Sequence, residues 1–134
     1  MPNLRPFFSL ITLILAAVAM VACGTSSTTQ NRMLQSITVT PPTADANGSP
    51  VQFTATGNYT APPVHVTPQP SLWAACYQNA PTSEVSVSQS GVAQCAGGAV
   101  GTYTVLASVQ TQCNVVTACG GGCQITGTAQ LTCP

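Results

Sequence analysis

The chain is predicted to fold as an all-β sandwich, and three observations predict it. Stretch after stretch beyond Met33 alternates apolar and polar side chains with period two, the pattern of a strand that buries one face. Gly, Pro, Asn and Asp punctuate the intervals between these stretches, and no sustained helical stripe follows Met33. The third observation is number: six or seven such short stretches with turn signals between them indicate a sandwich. The cysteines bear on export instead: seven are present, and setting Cys23 aside leaves an even set, suited to pairing in an exported domain.

The first 22 residues form an address rather than a fold. Arg5 supplies a cationic start, an almost unbroken apolar run extends from Phe7 to Val21, and small residues follow. This is the layout of a secretory signal. The run is short for a transmembrane helix, which needs about 20 apolar residues. Met20-Val21-Ala22-Cys23 resembles a bacterial lipobox, in which the cysteine becomes the first mature residue and carries the lipid; Met20 stands where that motif prefers Leu. The alternatives are an uncleaved anchor, or ordinary cleavage after Ala19 or Ala22. If Cys23 is acylated, each buried CH₂ contributes about 0.8 kcal/mol, so several chains make a durable tether. Residues 23–33 then comprise the lipidated cysteine and a flexible polar linker.

The remaining segment, 34–134, holds the strands. Leu34–Thr40 alternates around Ile37 and Val39 and stops at Pro41-Pro42. Asp45-Ala46-Asn47-Gly48 reads as a turn, since Asx side chains and Gly suit reversed backbone. Val51–Gly57 places Val51, Phe53 and Ala55 on one face; Leu72–Tyr77 is a short apolar run; Val85–Ser88 alternates again. Thr102–Val109 aligns Tyr103, Val105, Ala107 and Val109, and Gln124–Leu131 closes the chain. The expected core is Leu34, Ile37, Val39, Val51, Phe53, Ala55, Trp73, Val85, Val87, Val92, Tyr103, Val105 and Ala107.

Taken in order, Leu34–Pro41, Gly48–Tyr59, Val66-Thr67, Trp73, Val85–Val92 and Gly101–Val105 resemble the bacterial immunoglobulin-like domain, group 2. The resemblance covers about residues 34–109. It implies an immunoglobulin-like Greek-key β-sandwich, a core position for Trp73, and a role as a spacer or adhesive module on the cell surface. The Pro-rich insert from Ala61 to Ser71, the cysteines and the tail beyond Val109 depart from the family pattern. Fold alone does not fix function.

Composition narrows the function. Charged residues are 3% of the chain: Arg5, Arg32, Asp45 and Glu84. No basic patch can be assembled, so nucleic acid is not an expected partner. His65 is the one histidine, and acid–base catalysis lacks its usual groups. Asp45 and Glu84 make a poor glycosidase pair, Ser residues lack triad partners, and no enzyme activity or cofactor is expected. His65 reads as a solvated loop residue. Asn47-Gly48-Ser49 and Asn58-Tyr59-Thr60 match the glycosylation pattern, which in a bacterial lipoprotein is coincidental.

Cys76, Cys95, Cys113, Cys119, Cys123 and Cys133 are the disulfide candidates, in keeping with export to an oxidising space. Cys119 and Cys123 alone lack the second ligand pair of a zinc site. Gly120-Gly121-Gly122 suggests a tight reversal that folds Thr102 onward against Gln124–Leu131 as a C-terminal hairpin. That scheme pairs Cys119 with Cys123 across the turn and Cys113 with Cys133, leaving Cys76 with Cys95.

The expected protein is therefore a lipid-anchored module of the bacterial cell envelope, on the outer membrane or cell surface. Its partners are the membrane through Cys23 and an envelope protein or a glycan. A glycan would use Trp73 or the Pro62–Pro70 loop. With no Lys in the chain and Arg32 in the linker, charge does not guard the sheet edges. One edge is therefore expected to add a strand from a partner or a second copy.

Overall fold

In β1 (Leu34–Thr40), Ile37 and Val39 are buried while Ser36, Thr38 and Thr40 are exposed. The alternation read from the sequence is thus the alternation of the fold. This computed structural model describes residues 31–111, 119 and 122–134. The expected export signal, Cys23, the expected linker as far as residue 30, Cys113, Gly120 and Gly121 lie outside the described residues.

The other strands are β2 (Thr43–Asp45), β3 (Val51–Gln52), β4 (Thr54–Tyr59), β5 (His65–Val66), β6 (Leu72–Tyr77), β7 (Ala80–Pro81), β8 (Val85–Val87), β9 (Val92–Cys95), β10 (Gly101–Gln110) and β11 (Gln124–Cys133). Two three-stranded sheets, β1-β4-β5 and β3-β9-β8, are continuous through the chain. Phe53 alone separates β3 from β4, and its N–H donates to the Gly91 carbonyl at 2.9 Å. They form one layer. The facing layer is the five-stranded sheet β2-β11-β10-β6-β7. Among the described strands, every pairing is antiparallel except β2 with β11.

The two layers close over one core. Ile37, Val39, Phe53, Ala55, Val85 and Ala93 enter from one side; Ala75, Tyr103, Val105, Ala107, Ala129 and Leu131 enter from the other. Phe53, Val105 and Leu131 are wholly buried. Leu34, Val51, Trp73 and Val87, expected in the core, pack against it only half-buried, and Val92 is half-buried too. Each lies near a strand end or sheet margin, where one layer no longer covers the other.

The C-terminal hairpin is long and regular, with register from Gly101↔Cys133 to Gln110↔Gln124. Its strands stop at Gln110 and Gln124, and the Thr111 N–H donates to the Cys123 carbonyl. Gly122 has a φ of 82°, and Gly120 and Gly121 of the glycine reversal expected from the sequence lie outside the described residues. The turn at Asn47-Gly48 has φ of 44° and 76°, the mirror-image turn that Asn-Gly favours. The short strands β2, β5, β7 and β9 were not expected from the sequence. At two to four residues they are too brief to show a period.

Candidate functional site

The cysteines are where sequence reasoning erred most. Cys76 is bonded to Cys119, with Cα atoms 5.7 Å apart, and Cys95 to Cys133, at 6.0 Å. The expected pairs Cys76–Cys95, Cys119–Cys123 and Cys113–Cys133 are thereby all overturned. Cys123 is also disulfide-bonded, to a partner outside the described residues. With Cys119 and Cys123 both oxidised, neither offers a thiolate to a metal.

The physical reason is side-chain phase. Ala75 sits opposite Val105 and Trp73 opposite Ala107, all on the core side of β6 and β10. Cys76, the next residue, therefore turns to the outer face, in register with Thr104. Cys95 shares the phase of Ala93, and Cys133 that of Leu131 and Ala129, so both belong to the core side. Cys95–Cys133 thus links the two layers through the core, whereas Cys76–Cys119 fastens Cys119 to the outer face of the second layer. Cys76 projects from the outer face of the second layer and Cys95 from the core face of the first, so the second layer stands between them and they cannot meet.

A cleft of about 400 Å³ opens beside Trp73. Its wall comes from β3 and β4 (Gln52 to Ala55), its rim from Pro68, Gln69, Pro70 and Ser71, and its far side from Gln89 and Ser90. Trp73 is held by the core on one side: a Cβ at Gly91 would meet the Trp73 ring at 2.9 Å and would overlap the Phe53 carbonyl. Gly91 also has a φ of 83°, so only glycine suits this close approach. Trp73 and the Pro-rich insert were alternative ligand contacts in the sequence reading; the fold places them in one cleft.

The insert is held in shape by polar bonds. Gln69 is buried, accepts from the Tyr59 hydroxyl at 2.7 Å and donates to the Pro70 carbonyl at 3.1 Å. The Arg32 guanidinium stacks 3.7 Å over the Tyr59 ring and donates to the carbonyls of Ala61 and Pro63. Thr60 bonds Met33 in both directions, N–H to carbonyl and hydroxyl from N–H. Asn31 to Met33 thus clasp the insert. Sequence reasoning missed this role for Arg32; its being the lone Lys or Arg after residue 5 was the available hint.

The remaining candidates are placed separately. His65 is exposed on β5, with Nδ1 2.8 Å from Asn58 Oδ1. Asn58 also donates to Ser36 and Thr38 hydroxyls. Asp45 ends β2 at the margin of the second layer. Glu84 accepts from the hydroxyl of the core residue Tyr103 at 2.8 Å. That bond, burial and the nearby Glu84 charge raise the Tyr103 pKa above its ordinary value.

The sheet margins β2, β5, β7 and β8 are two or three residues long, and β7 contains Pro81. Short edges and proline blunt edge-to-edge pairing in place of charge. β1, with seven residues, is the longest marginal strand.

No family model and no curated protein matches this chain.

Proposed function

We propose that this chain is a non-catalytic lipoprotein of the bacterial cell envelope, whose immunoglobulin-like Greek-key sandwich acts as a binding, adhesive or structural module. The observation that carries the reading is covalent. Cys95–Cys133 and Cys76–Cys119 close long loops in a domain with few charges, and such bonds persist in oxidising compartments. Export is what the cationic start, apolar run and Met20–Cys23 motif would accomplish. The strand orders β2-β11-β10-β6-β7 and β1-β4-β5 with β3-β9-β8, including a first strand divided between layers, support the immunoglobulin-like reading. The scarcity of acid–base side chains supports a role without catalysis.

Intact mass of the membrane-extracted protein tests the anchor. The expected species begins at an acylated Cys23, and Cys23→Ser leaves the precursor unprocessed or frees it from the membrane. An unmodified chain that begins elsewhere overturns the lipoprotein reading.

A further inference from the structure

We propose that the cleft beside Trp73 binds a neutral glycan, with Trp73 as the stacking platform and Gln52 as the principal polar contact. This deepens, and rests on, the reading of the domain as a binding module.

Size and chemistry both favour this ligand. A volume of about 400 Å³ falls in the range of small-ligand sites, which combine apolar walls with a few fixed polar groups. Here the apolar lining includes Trp73 and, at the rim, Pro68 and Pro70, with the amides and hydroxyls of Gln52, Thr54 and Ser71 beside them. A sugar ring presents this same pair of surfaces, a C–H face for an aromatic ring and hydroxyls at its rim. Among the described residues, no charged side chain lines the cleft, so an ionic ligand would lose its hydration without a counter-charge.

Gln52 is fixed in place for this task. Its Nε2 donates to the Phe53 carbonyl at 2.6 Å and to the Ser90 carbonyl at 2.8 Å. Those bonds orient the amide and leave Oε1 to accept from a ligand hydroxyl. They also settle what the cleft does not suit. The Phe53 carbonyl is capped by Gln52, the Phe53 N–H bonds Gly91, and the Ala55 carbonyl accepts from the Gln69 N–H at 2.7 Å. The strand edge beside the cleft is therefore occupied, and an extended peptide finds no ladder to join.

Trp73 is the sole tryptophan of the chain, so intrinsic fluorescence reports this cleft without background. The experiment titrates the full-length protein, in a detergent without sugar headgroups, with chitotriose, maltotriose and cellotriose. A charged uronic-acid trisaccharide and a neutral proline-rich peptide are run alongside. The expected result is a saturable change in emission with at least one neutral trisaccharide and none with the charged one. Gln52→Ala, shown to be folded by circular dichroism, weakens that binding about tenfold, and His65→Ala, outside the cleft, leaves it unchanged. If Gln52→Ala does not fold, the exposed Gln89→Ala serves, with a smaller loss expected. Three results overturn the proposal: no saturable response to any neutral trisaccharide up to about 10 mM, an undiminished response in the folded cleft variant, or saturation by the peptide in place of the sugars. The mass at Cys23 is independent of this titration, so the two readings fail separately.

Discussion

Gly127 of β11 lies under the backbone carbonyl of Ile37 in β1. A Cβ at position 127 would stand 2.5 Å from that oxygen and 2.9 Å from the Ile37 side chain. The absent side chain is what lets β1 pass close over the last strand, and the obstacle is backbone rather than a side chain that could swing away. Gly127→Ala is expected to cost about 1–3 kcal/mol, the usual range for overpacking. Urea denaturation measures it; a loss under about 0.5 kcal/mol, the scale of ordinary surface changes, means that β1 moves aside freely.

Phe53 joins β3 to β4 and is fully buried between the layers. Phe53→Ala is expected to lower stability by about 3–5 kcal/mol, the transfer and cavity contributions together. A measured loss below about 1 kcal/mol would place the side chain outside the core.

Peptide mapping without reduction should recover Cys76 joined to Cys119 and Cys95 joined to Cys133. The bonds span 43 and 38 residues, and loops of that length restrict the unfolded chain by about 4 kcal/mol each. Cys95→Ser with Cys133→Ser is therefore expected to lower the denaturation midpoint sharply. A peptide joining Cys76 to Cys95 would contradict the arrangement.

The Tyr103–Glu84 bond makes stability depend on alkaline pH. The folded Tyr103 pKa is raised, chiefly because its hydroxyl donates to the Glu84 carboxylate. The neutral phenol is the form that the fold prefers. Its contribution is complete below the unfolded tyrosine value, near 10, and is lost as pH rises through the higher folded value. Thermal melts from neutral pH to about 11 should show the native protein losing more of its melting temperature at the alkaline end than Tyr103→Phe does. Equal losses would show that Tyr103 ionises without consequence for the fold.

Much of this architecture is written locally. Strands β1 and β6 have the limits that the residues predicted, and β10 and β11 extend the predicted stretches by a residue or two. Ile37, Val39, Phe53, Ala55, Tyr103, Val105 and Ala107 are buried as their phase required. Even the error over the cysteines was correctable from the sequence. Once Trp73 and Ala75 face the core, Cys76 must face away from it, while Cys95 shares the phase of Ala93.

What the sequence by itself determined was therefore local: which segments extend, which face of each is apolar, and which cysteine projects to which side. The tertiary structure alone decided which faces meet. That Cys133 reaches Cys95, that Arg32 clasps Tyr59 and the carbonyls of Ala61 and Pro63, and that Pro68, Pro70 and Gln52 surround Trp73 all depend on the order of strands across two layers. Alternation repeats every two residues and is imposed by each strand's own pleat. Strand order is set by the summed burial of the whole core, over contacts dozens of residues apart, and no local pattern encodes that sum.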